Sequence, residues 1–247
     1  MWTVFYQWAS PQRFYVRTGV WIPWIFSLAG LILLLGIVWG LIFAPPDYQQ
    51  GDAFRIIYVH VPCAFLSMAL FASMAFFAVL LLVWRIKLAG LLIAVVAQTG
   101  ACLTLLALLT GSLWGKPMWG AFWVWDARLT SELILLLLYS AILVTAQTYQ
   151  HHARGDFVVA ILVLVGVVDL PIIHYSVYWW NTLHQGATLL AFAKPKIDPQ
   201  MAYPLVLTLL GFLGVSVGVI LLKARQVLLL RERRQQWVQA MMRLTNR

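Results

Sequence analysis

Apolar residues fall in six long blocks along the chain, at roughly 20–43, 58–83, 88–111, 129–149, 157–175 and 203–222. Short polar or aromatic stretches separate them. A helix needs about 20 apolar residues to cross the hydrocarbon of a bilayer, and each block is close to that length or above it. The pattern predicts an all-α integral membrane protein with six transmembrane helices and both termini on one side. The first block is too long for a signal-peptide core and has no small-residue cleavage site before Pro45, so it is expected to remain as a permanent helix. A six-helix membrane domain over 1–222 and a tail over 223–247 follow. The sequence contains no internal repeat and no low-complexity tract.

The tail breaks the pattern. It places Val227, Leu230, Trp237, Met241 and Leu244 close to one helical face amid basic residues. That predicts an amphipathic helix lying on anionic lipid, with docking to a cytoplasmic partner as the alternative.

Composition supports the membrane reading. The 247 residues are 63% hydrophobic and 10% charged, whereas soluble domains carry about 25% charge. The net charge of +9 points to membrane topology, and no nucleic-acid partner is expected. Twelve of the 17 Lys/Arg fall with the termini, the 84–88 turn and the 149–156 turn, and five in the three opposite loops. By the positive-inside rule both termini are cytoplasmic and the loop between helices 3 and 4 is outside. Cys63 and Cys102 sit within apolar runs, so no structural disulfide is predicted. No Cys-x-x-Cys-His string occurs for thioether attachment of heme, and no Gly-x-x-x-x-Gly-Lys-Ser/Thr string for ATP.

The outer loop, 112–130, is the distinctive stretch. Trp114, Trp119, Trp123 and Trp125, four of the chain's 13 Trp, fall there with Phe122, Pro117, Lys116, Asp126 and Arg128. Indoles offer large apolar faces with one N–H at the edge, so several together can cover a flat hydrophobic molecule. An interfacial aromatic belt is the alternative.

The string Trp114-Gly115-x-x-x-Trp119-Gly120-x-x-Trp123-x-Trp125-Asp126-x-Arg128-Leu129-Thr130 resembles the "WWD" signature of heme-handling membrane proteins. It is most similar to that of the cytochrome c maturation protein C (heme exporter protein C) family. The similarity extends through Ala44–Tyr48, Tyr58–Pro62, Ile172–Ser176 and Trp179–Gly186. Phe122 stands where the family leads one to expect Trp, which keeps an aromatic face and removes an N–H donor.

Five histidines sort by side. His151 and His152 fall in a cytoplasmic turn beside Arg154 and are read as solvated. His60 begins the second helix and His184 lies in the last outer loop, within a stretch, 179–190, predicted to form a short surface helix. Together they can supply two imidazole nitrogens to one heme iron, and the resemblance implies them as its axial ligands. Ala64, Ser67 and Phe71 continue the face below His60 at helical spacing.

The residues expected to bind heme b are therefore His60, His184, Trp114, Trp119, Trp123, Trp125, Asp126 and Arg128. Arg128 and Lys116, with Arg55 as a weaker third, are candidates for the propionates. An ion pair with Glu132, four residues on, is the alternative for Arg128. Asp126 is also expected to cap the fourth helix. His174 is read as a packed histidine in preference to a donor supporting the site, and Asp169, an acid within a span, receives no role.

The resemblance implies a non-catalytic inner-membrane subunit that presents heme at the periplasmic face to a heme chaperone. It implies company with an ATP-binding-cassette ATPase and permease, and admits a small membrane subunit. A transmembrane heme transporter and a cytochrome-b-type electron carrier are the competing readings.

Overall fold

A computed structural model describes residues 10–149, 155–184 and 197–245. Among them there is no strand, only an isolated bridge between Asp47 and Gly51. Six segments are long and apolar enough to cross a membrane, as the blocks predicted. His151, His152, Arg154, Lys194 and Lys196 lie outside the described residues.

Helix α1 spans Pro11–Val38 and ends in a π turn, Trp39–Phe43. It starts nine residues before the apolar block because Phe14 and Tyr15 pack against the core. A 3₁₀ turn, Asp52–Ile56, leads into α2, Ile57–Trp84.

Helix α3, Lys87–Trp119, does not stop at Gly111 as expected. Gly115 is buried and Trp114 packs beside a small cluster that includes Phe54, Tyr58 and Leu205, so the helix continues through the tryptophan stretch. Gly120, left-handed at φ 77°, ends it, as glycine does at helix C-termini. Of the expected loop 112–130, only 120–126 is non-helical.

Helix α4, Ala127–Thr148, starts where Asp126 accepts a hydrogen bond from Leu129 N–H at 2.8 Å. The fifth span is broken into α5, Gly155–Gly166, and α6, Asp169–Trp179. Pro171 explains the break: it has no N–H for the Val167 carbonyl and its ring crowds that oxygen. The Val167 carbonyl accepts from Leu170 N–H instead, at 3.1 Å. Helix α7, Pro199–Arg231, runs nine residues beyond its apolar block, and α8, Gln236–Thr245, follows.

Helices α1 and α7 pair over the small residues Ala29, Gly36, Gly211 and Gly214, as transmembrane helices commonly do. Helices α2, α3 and α4, with α5 and α6, enclose the main apolar core. At the Arg231 end, Arg231 forms a two-pronged ion pair with Asp156, at 2.7 and 3.0 Å. Within α8, Val238 is buried and Trp237 meets the ring of Tyr15 at 5.8 Å. Part of the amphipathic face predicted for lipid is thus covered by the chain itself.

Candidate functional site

The opposite end of the bundle carries a cavity of about 370 Å³ between α2, α3, α4 and α7. One wall begins with His60, on the first full turn of α2. Its Nδ1 lies 3.0 Å from the Ala107 carbonyl and 3.2 Å from Thr110 Oγ1 on α3. A carbonyl only accepts, so this bond fixes the proton on Nδ1 and leaves the Nε2 lone pair available. Gly111 makes room for the ring: a Cβ there would stand 2.8 Å from His60 Cε1.

His184 reaches the same cavity from the chain after α6. Of the surface helix expected over 179–190, residues 185–190 lie outside the described residues; Trp180 is extended, and 181–184 are non-helical. Polar bonds hold this stretch. Thr182 donates to Asp126 Oδ2 at 2.8 Å and accepts from the His184 N–H at 2.8 Å. His184 Nδ1 stands 3.9 Å from Asp126 Oδ2, too far for a hydrogen bond, and is buried without a partner.

Asp126 therefore does two things at once, capping α4 and anchoring the His184 segment. Burial would raise its carboxyl. The His184 imidazole, the Leu129 N–H and the Thr182 hydroxyl outweigh burial and bring it down to about 2.

The two imidazoles are neighbours, with ring centroids 6.5 Å apart and planes at 40°. Each has an indole beside it: Trp114 meets His60 edge-on at 5.6 Å, and Trp119 meets His184 at 5.3 Å. Trp114 is held in turn by Gln50, which accepts its Nε1–H at 2.9 Å. Gln50 is oriented by a turn in which Asp47 Oδ1 accepts from the N–H groups of Gln49 and Gln50. Trp123 also lines the cavity, and its Nε1 is buried without a partner. Below the histidines the lining becomes apolar, with Ala64, Phe65, Met68 and Leu209.

Arg128 borders the cavity, its Nη1 3.5 Å from the Ile173 carbonyl. The alternative ion pair with Glu132 does not close to contact: neither residue is in an ion pair shorter than 4 Å among the described residues.

Other expected site residues lie elsewhere. Trp125 is 78% exposed and packs edge-on against Trp123 outside the cavity. Lys116 donates to the Gly120 carbonyl at 3.0 Å, closing the end of α3. Arg55 is tied to Asp52 and to the Gly40 carbonyl in the π turn. His174 borders the cavity and is exposed, so it is not the packed histidine the sequence suggested. Phe71 belongs to the core, edge-on to Tyr139.

Gln50 and Thr182 are site residues that sequence reasoning passed over, and Glu132 one that it named only as a partner for Arg128. Only Glu132 carried a signal, as an acid within a span. Among the described residues no three His, Cys, Asp or Glu side chains cluster as for a bare metal ion. A pair of imidazoles suits a metal whose other ligands come from elsewhere, as in a porphyrin.

Residues 4–239 match the family model described as Heme exporter protein C. Heme exporter protein C of Escherichia coli (strain K12) is 50% identical over 238 residues, covering 96% of both chains. That of Haemophilus influenzae is 48% identical over 242 residues, covering 98% of both. A ccmC-like mitochondrial protein of cytochrome c biosynthesis from Marchantia polymorpha is 42% identical over 186 residues, covering 75% of this chain and 78% of that protein. With that span of matching sequence, the chain belongs to the heme exporter protein C family.

Proposed function

We propose that this chain binds heme b between His60 and His184 at the periplasmic face of a bacterial inner membrane and presents it to a periplasmic heme chaperone. The observation that carries the reading is the imidazole pair: His60 and His184 line one cavity with ring centroids 6.5 Å apart, where each could offer a nitrogen to a heme iron held between them.

The chain's own residues divide the work. The Ala107 carbonyl holds the proton on His60 Nδ1, and Asp126, through Thr182, holds the His184 segment. Trp114, Trp119 and Trp123 give flat apolar surface for a macrocycle. Arg128 borders the cavity as a fork for a propionate. When bound, heme supplies the redox-active iron and the substituents to which a partner bonds.

The excess of Lys/Arg on the side of the termini supports a periplasmic site and cytoplasmic termini. The resemblance to the heme exporter protein C family implies an ATP-binding-cassette complex, whose ATPase and permease are separate subunits in this reading. Passage of heme through the helices of this chain is disfavoured by the apolar core beneath the cavity.

Absorption spectra of the purified protein, alone and with its heme chaperone, test the reading. Wild type should carry low-spin heme, and His60→Ala and His184→Ala should each lower occupancy or shift the spectrum. Unchanged spectra in both variants would remove the ligand assignment and leave the tryptophans as a docking surface.

A further inference from the structure

Below Arg128, one turn deeper along α4, the cavity wall holds a carboxyl group that the histidine pair does not use. Glu132 is 8% exposed, and its Oε1 lies 2.9 Å from Ser67 Oγ, whose one hydroxyl hydrogen is shared with the Ala64 carbonyl at 2.7 Å. Ser67 is itself fixed, since its backbone carbonyl accepts from Tyr139 OH at 2.7 Å and both residues are fully buried. Ser67 on α2, itself held by Tyr139 on α4, thus holds one carboxyl at the boundary between the polar rim and the apolar floor. No cation stands within ion-pairing distance of it among the described residues. A charge inside a membrane span is expensive and is retained where it has a task. Fields also act strongly across such a site, because little water screens them.

We propose that Glu132 is a positioning residue that sets the charge balance of this cavity, favouring the oxidised over the reduced iron of a bound heme. The inference rests on the heme reading above. The couple is a one-electron exchange, Fe³⁺ to Fe²⁺, in which the site loses one unit of positive charge. A nearby carboxylate stabilises the more positive form, while Arg128 at the rim opposes it.

Redox titration of the full-length protein loaded with heme, followed by absorption, tests this with an external mediator as the electron source. In Glu132→Gln the reduced-to-oxidised ratio at fixed potential should rise at least threefold, about 28 mV at 59 mV per tenfold change for one electron. Glu132→Asp should stay near wild type. An unchanged midpoint in Glu132→Gln, with heme present, overturns this proposal and leaves the heme site intact. If Glu132→Gln holds no heme, hemin affinity of the Asp and Ala variants decides. Binding by Asp alone supports a charge role, and loss in all three assigns Glu132 to packing and overturns it. A wild-type chain that takes no heme overturns the function itself, and this proposal with it.

Discussion

The two histidines reach one cavity by opposite means. His60 stands on a helix, flanked by its own turns and by α3, with two polar groups on Nδ1. His184 stands on irregular chain and, among the described residues, is tied by Thr182 to one carboxylate, Asp126. One half of the site is built into the bundle, and the other is tied to it by polar bonds. The His184 half is therefore the one that small changes can release, and the His60 half the one that only repacking can disturb.

Asp126→Ala should break this comparison most strongly. It removes the α4 cap, typically worth about 1 kcal/mol, and the anchor of His184 together. The expected spectrum is that of heme held by one imidazole, with thermal stability lowered. Asp126→Asn keeps a competent cap and an acceptor for Thr182, so it should fall between. A wild-type spectrum in Asp126→Ala would show that the His184 segment is held by something else.

Gly111→Val attacks the other half. The added Cβ meets His60 Cε1 at 2.8 Å, and overpacking of this kind costs about 1–3 kcal/mol. Heme occupancy should fall several-fold, and the loss should add to that of Asp126→Asn if the halves are independent.

Acid should separate them more gently. Asp126 is depressed to about 2 from about 3.9 in an unfolded chain. Its stabilising contribution is fully present above about pH 4 and is lost as pH falls through about 2. Thermal unfolding of wild type between pH 5 and 2 should decline more steeply than that of Asp126→Asn, and parallel curves would remove the carboxylate from the account.

Gln50→Ala should have the smallest effect. It frees one indole N–H, a net change of about 1 kcal/mol, visible as a small shift in the heme spectrum with occupancy near wild type.

The six spans were legible in the sequence because hydrocarbon thickness imposes a length on apolar blocks. Their ends were not. The chain of α3 turns polar and aromatic after Gly111, and only the packing of Trp114 beside Phe54 and Leu205 shows why the helix continues. The break before α6 could have been read from Pro171. Asp126 as a cap was legible from local chemistry; its bond to Thr182, 56 residues away, was not. Glu132 illustrates the same limit. Its position four residues after Arg128 suggested an ion pair, while the fold gave its carboxyl to Ser67, 65 residues distant.

The extension of α3 from Gly111 to Trp119 also sets a height. Eight residues at 1.5 Å each raise the helix by about 12 Å. Its other end is level with α5, where a Cβ on Gly90 would touch Asp156 at 2.9 Å, so the extra length lies on the side of the cavity. Helix α4, with 22 residues, is about 33 Å long and only just matches the roughly 30 Å of hydrocarbon. The indole wall is thus carried about 12 Å past Gly111 on the cavity side, by turns of α3 that hydrocarbon thickness alone does not require.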